Sequence, residues 1–128
     1  MISKVTLGVK ISVTTSYQPG FSSDNQHQYL FSYSIFIDNF NDFRVQLLNR
    51  HWKITDGVGL VRVVDGPGVI GIQPIIEPFE NYNYQSACDF QTSVGTMEGY
   101  YKFRNLESGK VFKAEIPRFV MVTDQKLN

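Results

Sequence analysis

An all-β, two-sheet antiparallel sandwich is the fold this sequence predicts, and three observations carry that prediction. Long stretches alternate apolar and polar residues with a period of two. Clusters of Gly, Pro, Asn and Asp separate these stretches at short intervals. No window shows the 3.6-residue apolar period of an amphipathic helix. About seven to nine short strands result, the pattern of an immunoglobulin or fibronectin type III-like sandwich. A closed barrel is the alternative arrangement of the same strands.

The first strand is read from Val5, Leu7, Val9, Ile11 and Val13, which alternate with Thr6, Gly8, Lys10, Ser12 and Thr14. The segment 17–28, with Pro19, Gly20, Ser22, Ser23, Asp24 and Asn25, is a polar loop. Tyr29, Phe31, Tyr33, Ile35 and Ile37 form one face of the second strand. Asp38 to Asp42 turns the chain, and Val45 to Thr55 is the third strand, carrying the sole tryptophan, Trp52. Asp56-Gly57 is a hairpin signal, so Leu60 to Val64 is expected to return antiparallel to the third strand. Further on, Tyr82, Tyr84, Ser86, Cys88 and Phe90 share one face, and Met97, Gly99, Tyr101 and Phe103 share another. Asn105 to Lys110 is a hairpin loop. Phe112, Ala114 and Ile116 follow, Pro117 interrupts, and Arg118 to Val122 is a short final strand at an edge.

With 128 residues, a single domain over 1–128 is expected, and 42% hydrophobic residues suffice for a packed core. Lys+Arg and Asp+Glu number 12 each, so the balance carries no electrostatic footprint for nucleic acid or an anionic membrane. No apolar run approaches the roughly 20 residues of a membrane-spanning helix. The first ten residues lack a signal-peptide core, and the lone Cys88 cannot form an internal disulfide; together these point to a cytoplasmic protein.

Leu60 to Pro74 contains a Gly-x-Gly-x-x-Gly string at Gly66, Gly68 and Gly71. A dinucleotide site needs a strand before such a string and a helix after it, whose free N–H groups hold the pyrophosphate. The strand is present. The helix is excluded by Pro74 and Pro78, and no acidic residue ends a second strand about 20 positions on. Two readings remain open: a wide loop whose glycines supply positive φ, and a non-helical nest of N–H groups for phosphate.

Arg50-His51-Trp52 is the densest polar cluster on a strand. Alternation places Leu48, Arg50, Trp52 and Ile54 on one face, so Arg50 needs a carboxylate partner or a bulge that turns it outward. It reads either as a packed stem beside Trp52 or as a guanidinium anchor for an anion. His51, on the other face, has no orienting group nearby in sequence. Cys88 reads as a buried structural thiol, with no adjacent cation to activate it. His27 and His51 are the only histidines, and no Cys/His pair has metal-ligand spacing. Asp38 with Asp42, and Glu77 with Glu80, read as turn chemistry. No catalytic constellation, metal site or cofactor is expected.

Leu47 to Asp56, Val64 to Pro74, Tyr84 to Cys88, Thr92 to Tyr101 and Ile116 to Phe119, in this order and spacing, resemble the bacterial ApaG family. The combination of Arg50-His51-Trp52, the string from Gly66 to Pro74 and Ile116-Pro117 is specific, and the similarity covers nearly the whole chain. Ala87 stands where the family usually has glycine, and Ser93 where it usually has proline. The resemblance implies a fibronectin type III-like sandwich and an undefined biochemical activity. It also implies links, by name and gene neighbourhood, to cobalt and magnesium resistance and to diadenosine tetraphosphate hydrolysis. A related domain occurs in eukaryotic F-box proteins and in a DNA-polymerase-delta-interacting protein, where protein binding is implied. The expected function is therefore a non-catalytic protein-interaction module, with a protein partner or self-association through an apolar patch near the Gly-rich loop. The alternative is a phosphorylated small molecule or nucleotide held by Gly66, Gly68 and Gly71, with Arg50 and Arg62 as counter-charges.

Overall fold

A computed structural model describes residues 1–123. Nine strands form two antiparallel sheets: β1 (Ile2–Thr6), β2 (Val9–Tyr17), β3 (Tyr29–Asn39), β4 (Val45–Asp56), β5 (Val61–Pro67), β6 (Ile75–Ile76), β7 (Asn81–Phe90), β8 (Val94–Asn105) and β9 (Val111–Val122). One sheet runs β1-β2-β3-β7; the other runs β5-β4-β8-β9, with β6 added beside β4. The two pack face to face as a sandwich. No helix among the described residues is long and apolar enough to cross a membrane.

Alternation explains the core. Val9, Ile11, Val13, Phe31, Ile35 and Ile37 are buried from the first sheet, and Val45, Leu47, Trp52, Met97, Tyr101 and Phe103 from the second. Trp52 meets Tyr33 across the interior edge-on at 5.7 Å and Phe119 at 5.9 Å, the arrangement that aromatic quadrupoles favour.

Three elements differ from the sequence reading. The expected first strand is a hairpin, β1 and β2, reversing at Leu7-Gly8 with φ of 47° and 79°. The apolar alternation of the sequence runs on through the turn, but the faces do not: Thr6 pairs with Val9 and Val5 with Lys10, so Val5 and Leu7 are exposed while Val9, Ile11 and Val13 are buried. The Asn41 amide donates to the Leu7 carbonyl and fills the place a Gly8 side chain would take. Pro117 does not end a strand. It sits where the β8–β9 register slips, and β9 continues past it with its buried set moving from Ala114 and Ile116 to Phe119 and Met121. In β4 a similar slip between Leu47 and Asn49 puts Leu47, not Leu48, into the core.

The two seams of the sandwich are unlike. On one, β1 packs against β9: Lys4 pairs with Glu115, and the Glu115 N–H donates to Thr6 Oγ1. On the other, β5 and β7 are the terminal strands, and Arg62 of β5 reaches across to Cys88 and Asp89 of β7.

Candidate functional site

Between β5 and β7 the sandwich opens into a cleft of ≈ 420 Å³. The buried core residues Trp52 and Met97 lie at its floor, β4, β5 and β7 contribute its walls, and the Val69–Gly71 loop borders it. An adjoining recess of ≈ 220 Å³ continues toward Leu60 and Gln91. The lining mixes apolar side chains with convergent polar groups in a concavity of the size that binding sites take.

Arg50 supplies the first polar group. The bulge in β4 leaves it on the cleft face with Trp52, half-buried. Its Nη1 donates to the carbonyls of Pro67 and Gly68, both at 3.0 Å. The guanidinium lies over Gly66, opposite it in the β4–β5 ladder, and a Cβ there would stand 3.0 Å from Cζ. Gly66 thus makes room for the arginine head. The partner expected to be a carboxylate is instead a pair of backbone oxygens.

Arg62 supplies the second. It donates to Cys88 Sγ at 3.3 Å and to the Asp89 carbonyl, with the Asp89 carboxylate 3.5 Å away. Burial pushes the Cys88 thiol up to about 11, against the opposing pull of Arg62. The cation that the sequence does not place beside Cys88 is therefore present, yet the thiol stays protonated at neutral pH.

The phenols of Tyr33 and Tyr84 complete the lining, with Tyr101 buried behind them. Tyr84 and Tyr101 share a hydrogen bond between their hydroxyls. Burial raises the pKa of Tyr33, Tyr84 and Tyr101, and the charge of Arg50 opposes the rise in all three. The hydroxyls are neutral and Arg50 is the cation they surround.

The Gly-rich string is not a uniform loop. Gly66 belongs to β5, Gly68 turns at φ 60° and Gly71 at φ 77°. The Gly68 N–H donates to the Leu48 carbonyl, and Val69 and Ile72 bond one another N–H to carbonyl in both directions. Those amides are spent within the fold. Arg50, Arg62 and Gly71 nevertheless line the one cleft, with Gly66 and Gly68 beneath the Arg50 head.

On the outer face of the same sheet His51 does have an orienting group. Asp65, its cross-strand neighbour, lies with Oδ1 2.5 Å from Nδ1, and the ring stacks on Tyr100 at 4.7 Å. Counting the register back from the Asp56-Gly57 turn finds this pair; sequence proximity does not. Among the described residues no hydroxyl or thiol is hydrogen-bonded to His51, and no group of three or more His, Cys, Asp or Glu side chains is placed to hold a metal ion.

The β5 edge is the other notable surface. Asp56 N–H donates to the Leu60 carbonyl and Gly68 N–H to the Leu48 carbonyl, at the two ends of the β4–β5 ladder. Antiparallel pairs alternate between bonded and non-bonded positions. Arg62, Val64 and Gly66 therefore bond β4, and the N–H and C=O groups of Val61, Val63 and Asp65 point away from it. The side chains of Val61, Val63 and Val64 are exposed, as are Val58, Leu60, Ile70 and Ile72 beyond the strand ends.

The ApaG domain family (DUF525) matches residues 19–105. A relative named Protein ApaG from Azotobacter vinelandii is 46% identical over 111 residues, 87% of each chain. Protein ApaG from Beijerinckia indica is 40% identical over 119 residues, 93% of this chain and 91% of that one. The crystal structure of the putative ApaA protein from Bordetella pertussis superposes with a TM-score of 0.88 at 38% identity, covering 91% of this chain and 94% of that chain.

Proposed function

This chain belongs to the ApaG domain family, and from that premise we propose that it is a non-catalytic protein-interaction module that receives a partner segment as an added strand along β5. The observation that carries this reading is the bare edge: three residues, Val61, Val63 and Asp65, direct their backbone groups outward from an exposed and largely apolar strand. Main-chain bonds to such an edge give affinity, and the flanking side chains give selectivity. In this reading any part in cobalt or magnesium resistance is played through the partner. The site needs no membrane and suits a cytoplasmic protein acting on another chain.

The test uses the full chain as bait in affinity purification, beside Val63→Pro. Proline removes an N–H that the fold does not use. Partners recovered with the wild type and lost with the folded variant support the reading; an unchanged set overturns it.

A phosphorylated small molecule is the second reading, favoured by the convergence of Arg50, Arg62 and Gly71 on one cleft. Its donors would be the guanidinium groups rather than a nest of loop amides, because Gly68, Val69 and Ile72 have spent theirs. An NMR titration with pyrophosphate and ADP should shift the Gly71 amide and the Arg50 side chain. Silence up to millimolar ligand removes this reading.

A further inference from the structure

The strand-docking reading leaves the partner's chemistry open, and the cleft face of β5 narrows it. We infer that the partner segment carries an Asp or Glu carboxylate facing the cleft opposite Gly66, received by Arg50, and apolar side chains facing outward against Val61 and Val63. The inference rests on the reading that β5 accepts a strand.

A strand added at β5 bonds to Val61, Val63 and Asp65. Its residues opposite Arg62, Val64 and Gly66 then occupy the close, non-bonded positions, with side chains on the cleft side. At Gly66 nothing on β5 separates that side chain from the Arg50 guanidinium, which lies directly over the glycine. Among the described residues the bonds of Arg50 use Nη1 alone, leaving the Nη2 and Nε donors unclaimed. No carboxylate pairs with Arg50 among those residues, whereas Arg62 on the same face is already taken by Asp89. Arg50 and Arg62 against Asp89 leave one uncompensated positive charge in the lining. The phenols around Arg50 are held neutral by burial and supply no anion. A carboxylate offers two acceptor oxygens to a guanidinium fork, a geometry that neutral side chains do not reproduce. On the outward side, Val61 and Val63 gain by covering apolar surface.

The experiment is a random-peptide display selection on the intact wild-type chain, on Arg50→Gln, on Arg50→Lys and on Val63→Pro, each checked for folding by near-ultraviolet circular dichroism. Val63→Lys replaces the proline variant if that one does not fold. The wild type should enrich peptides with alternating apolar residues and one acidic residue in fixed register. For the selected peptide, Glu→Gln or Asp→Asn should weaken binding by about tenfold or more, as expected for a charged hydrogen-bond partner. Arg50→Gln should lose the acidic preference while keeping the apolar alternation; Arg50→Lys should keep part of it; Val63→Pro should enrich nothing. Selected peptides without an acidic preference, or a preference unchanged in Arg50→Gln, overturn this inference and leave the edge reading standing. The same peptides recovered on Val63→Pro, or an empty selection on the wild type, overturn the edge reading and this inference with it.

Discussion

The two seams of this sandwich solve the same problem in opposite ways. Each side brings together the terminal strands of both sheets, and terminal strands carry unpaired backbone groups that invite association. On the β1–β9 side the strands cover one another. Lys4 and Glu115 pair across the seam, Arg118 lies 3.4 Å from Glu98, and Pro117 breaks the run of donors at a register slip. Charge, proline and irregular register are the devices by which edges are blunted. On the β5–β7 side one charge does cross the seam, Arg62 to Asp89, but no proline or register slip interrupts Val61 to Val64; Pro67 appears only where β5 ends. Both seams carry exposed apolar side chains, Ile2 and Val5 on β1 as well as Val61 and Val63 on β5, so the difference lies in what covers the strands rather than in their apolarity. The proposed docking of a partner strand rests on this contrast, a bare edge beside a cleft holding an incompletely used arginine.

Truncating one apolar side chain in the core and one on the β5 edge tests the openness of that edge most directly. Ile11, wholly buried, should lose about 2–5 kcal/mol as Ile11→Ala, through lost burial and the cavity left behind. Val63, 56% exposed, should lose under about 0.5 kcal/mol as Val63→Ala. Urea midpoints measure both. A comparable loss at Val63 would mean that β5 is covered in solution and is not an open edge.

The Gly-rich string sharpens the contrast at the next scale. In Gly68→Ala the new Cβ would stand 1.9 Å from the Ile72 carbonyl oxygen, at a φ of 60°. Backbone must move, and the loss should exceed about 2 kcal/mol. In Gly71→Ala nothing lies within 4 Å, so only the left-handed backbone opposes the side chain, at about 1 kcal/mol. Equal losses would show that the loop is a soft turn rather than a roof fixed over the cleft. Arg50→Gln should follow at about 1–2 kcal/mol, since it removes two charged bonds to the roof carbonyls. The same change should increase hydrogen exchange at Val69 and Ile72 without altering exchange at β1 and β9.

How much of this was legible beforehand follows from what alternation can encode. The buried faces of β3, β7 and β8 were readable because nothing shifts their phase. The slips at Leu48 and Pro117 were not, because one extra residue moves every later side chain to the other face and looks like noise in a period of two. The Leu7-Gly8 turn escaped because Val5 and Leu7 continue the apolar alternation of Val9, Ile11 and Val13 in sequence, although the pairing of Thr6 with Val9 puts Val5 on the outer face. Arg50 stood out as an arginine on an apolar face. Its acceptors could not be named, because the carbonyls of Pro67 and Gly68 belong to the backbone and come within reach only through the hairpin register. Residue types foretold the demand for a partner; topology supplied it. The His51–Asp65 pair was within reach of the sequence, given the register that the Asp56-Gly57 turn imposes.

The smallest expected effect concerns the thiol at the back of the open seam. Burial holds Cys88 protonated, raising it from 9.0 to about 11, while Arg62 pulls the other way. The folded state therefore binds this proton more tightly than the unfolded chain does. The resulting stability is fully present below about pH 9 and is lost as the pH rises through about 11. Other groups also contribute to stability at alkaline pH, so the informative quantity is the difference between the wild type and Cys88→Ala, in which their contribution cancels. That difference should shrink as the pH climbs from 8 toward 11. The wild-type thiol should also react slowly with a disulfide reagent at pH 8, since both burial and the scarcity of thiolate oppose attack. Removing the guanidinium in Arg62→Gln takes away the favourable charge and should move the thiol higher still. A constant difference across the pH range, or a native thiol as reactive as an unfolded one, would mean that Arg62 does not close the cleft over Cys88. The open seam would then reach further into the sandwich than the packing of β5 against β7 shows.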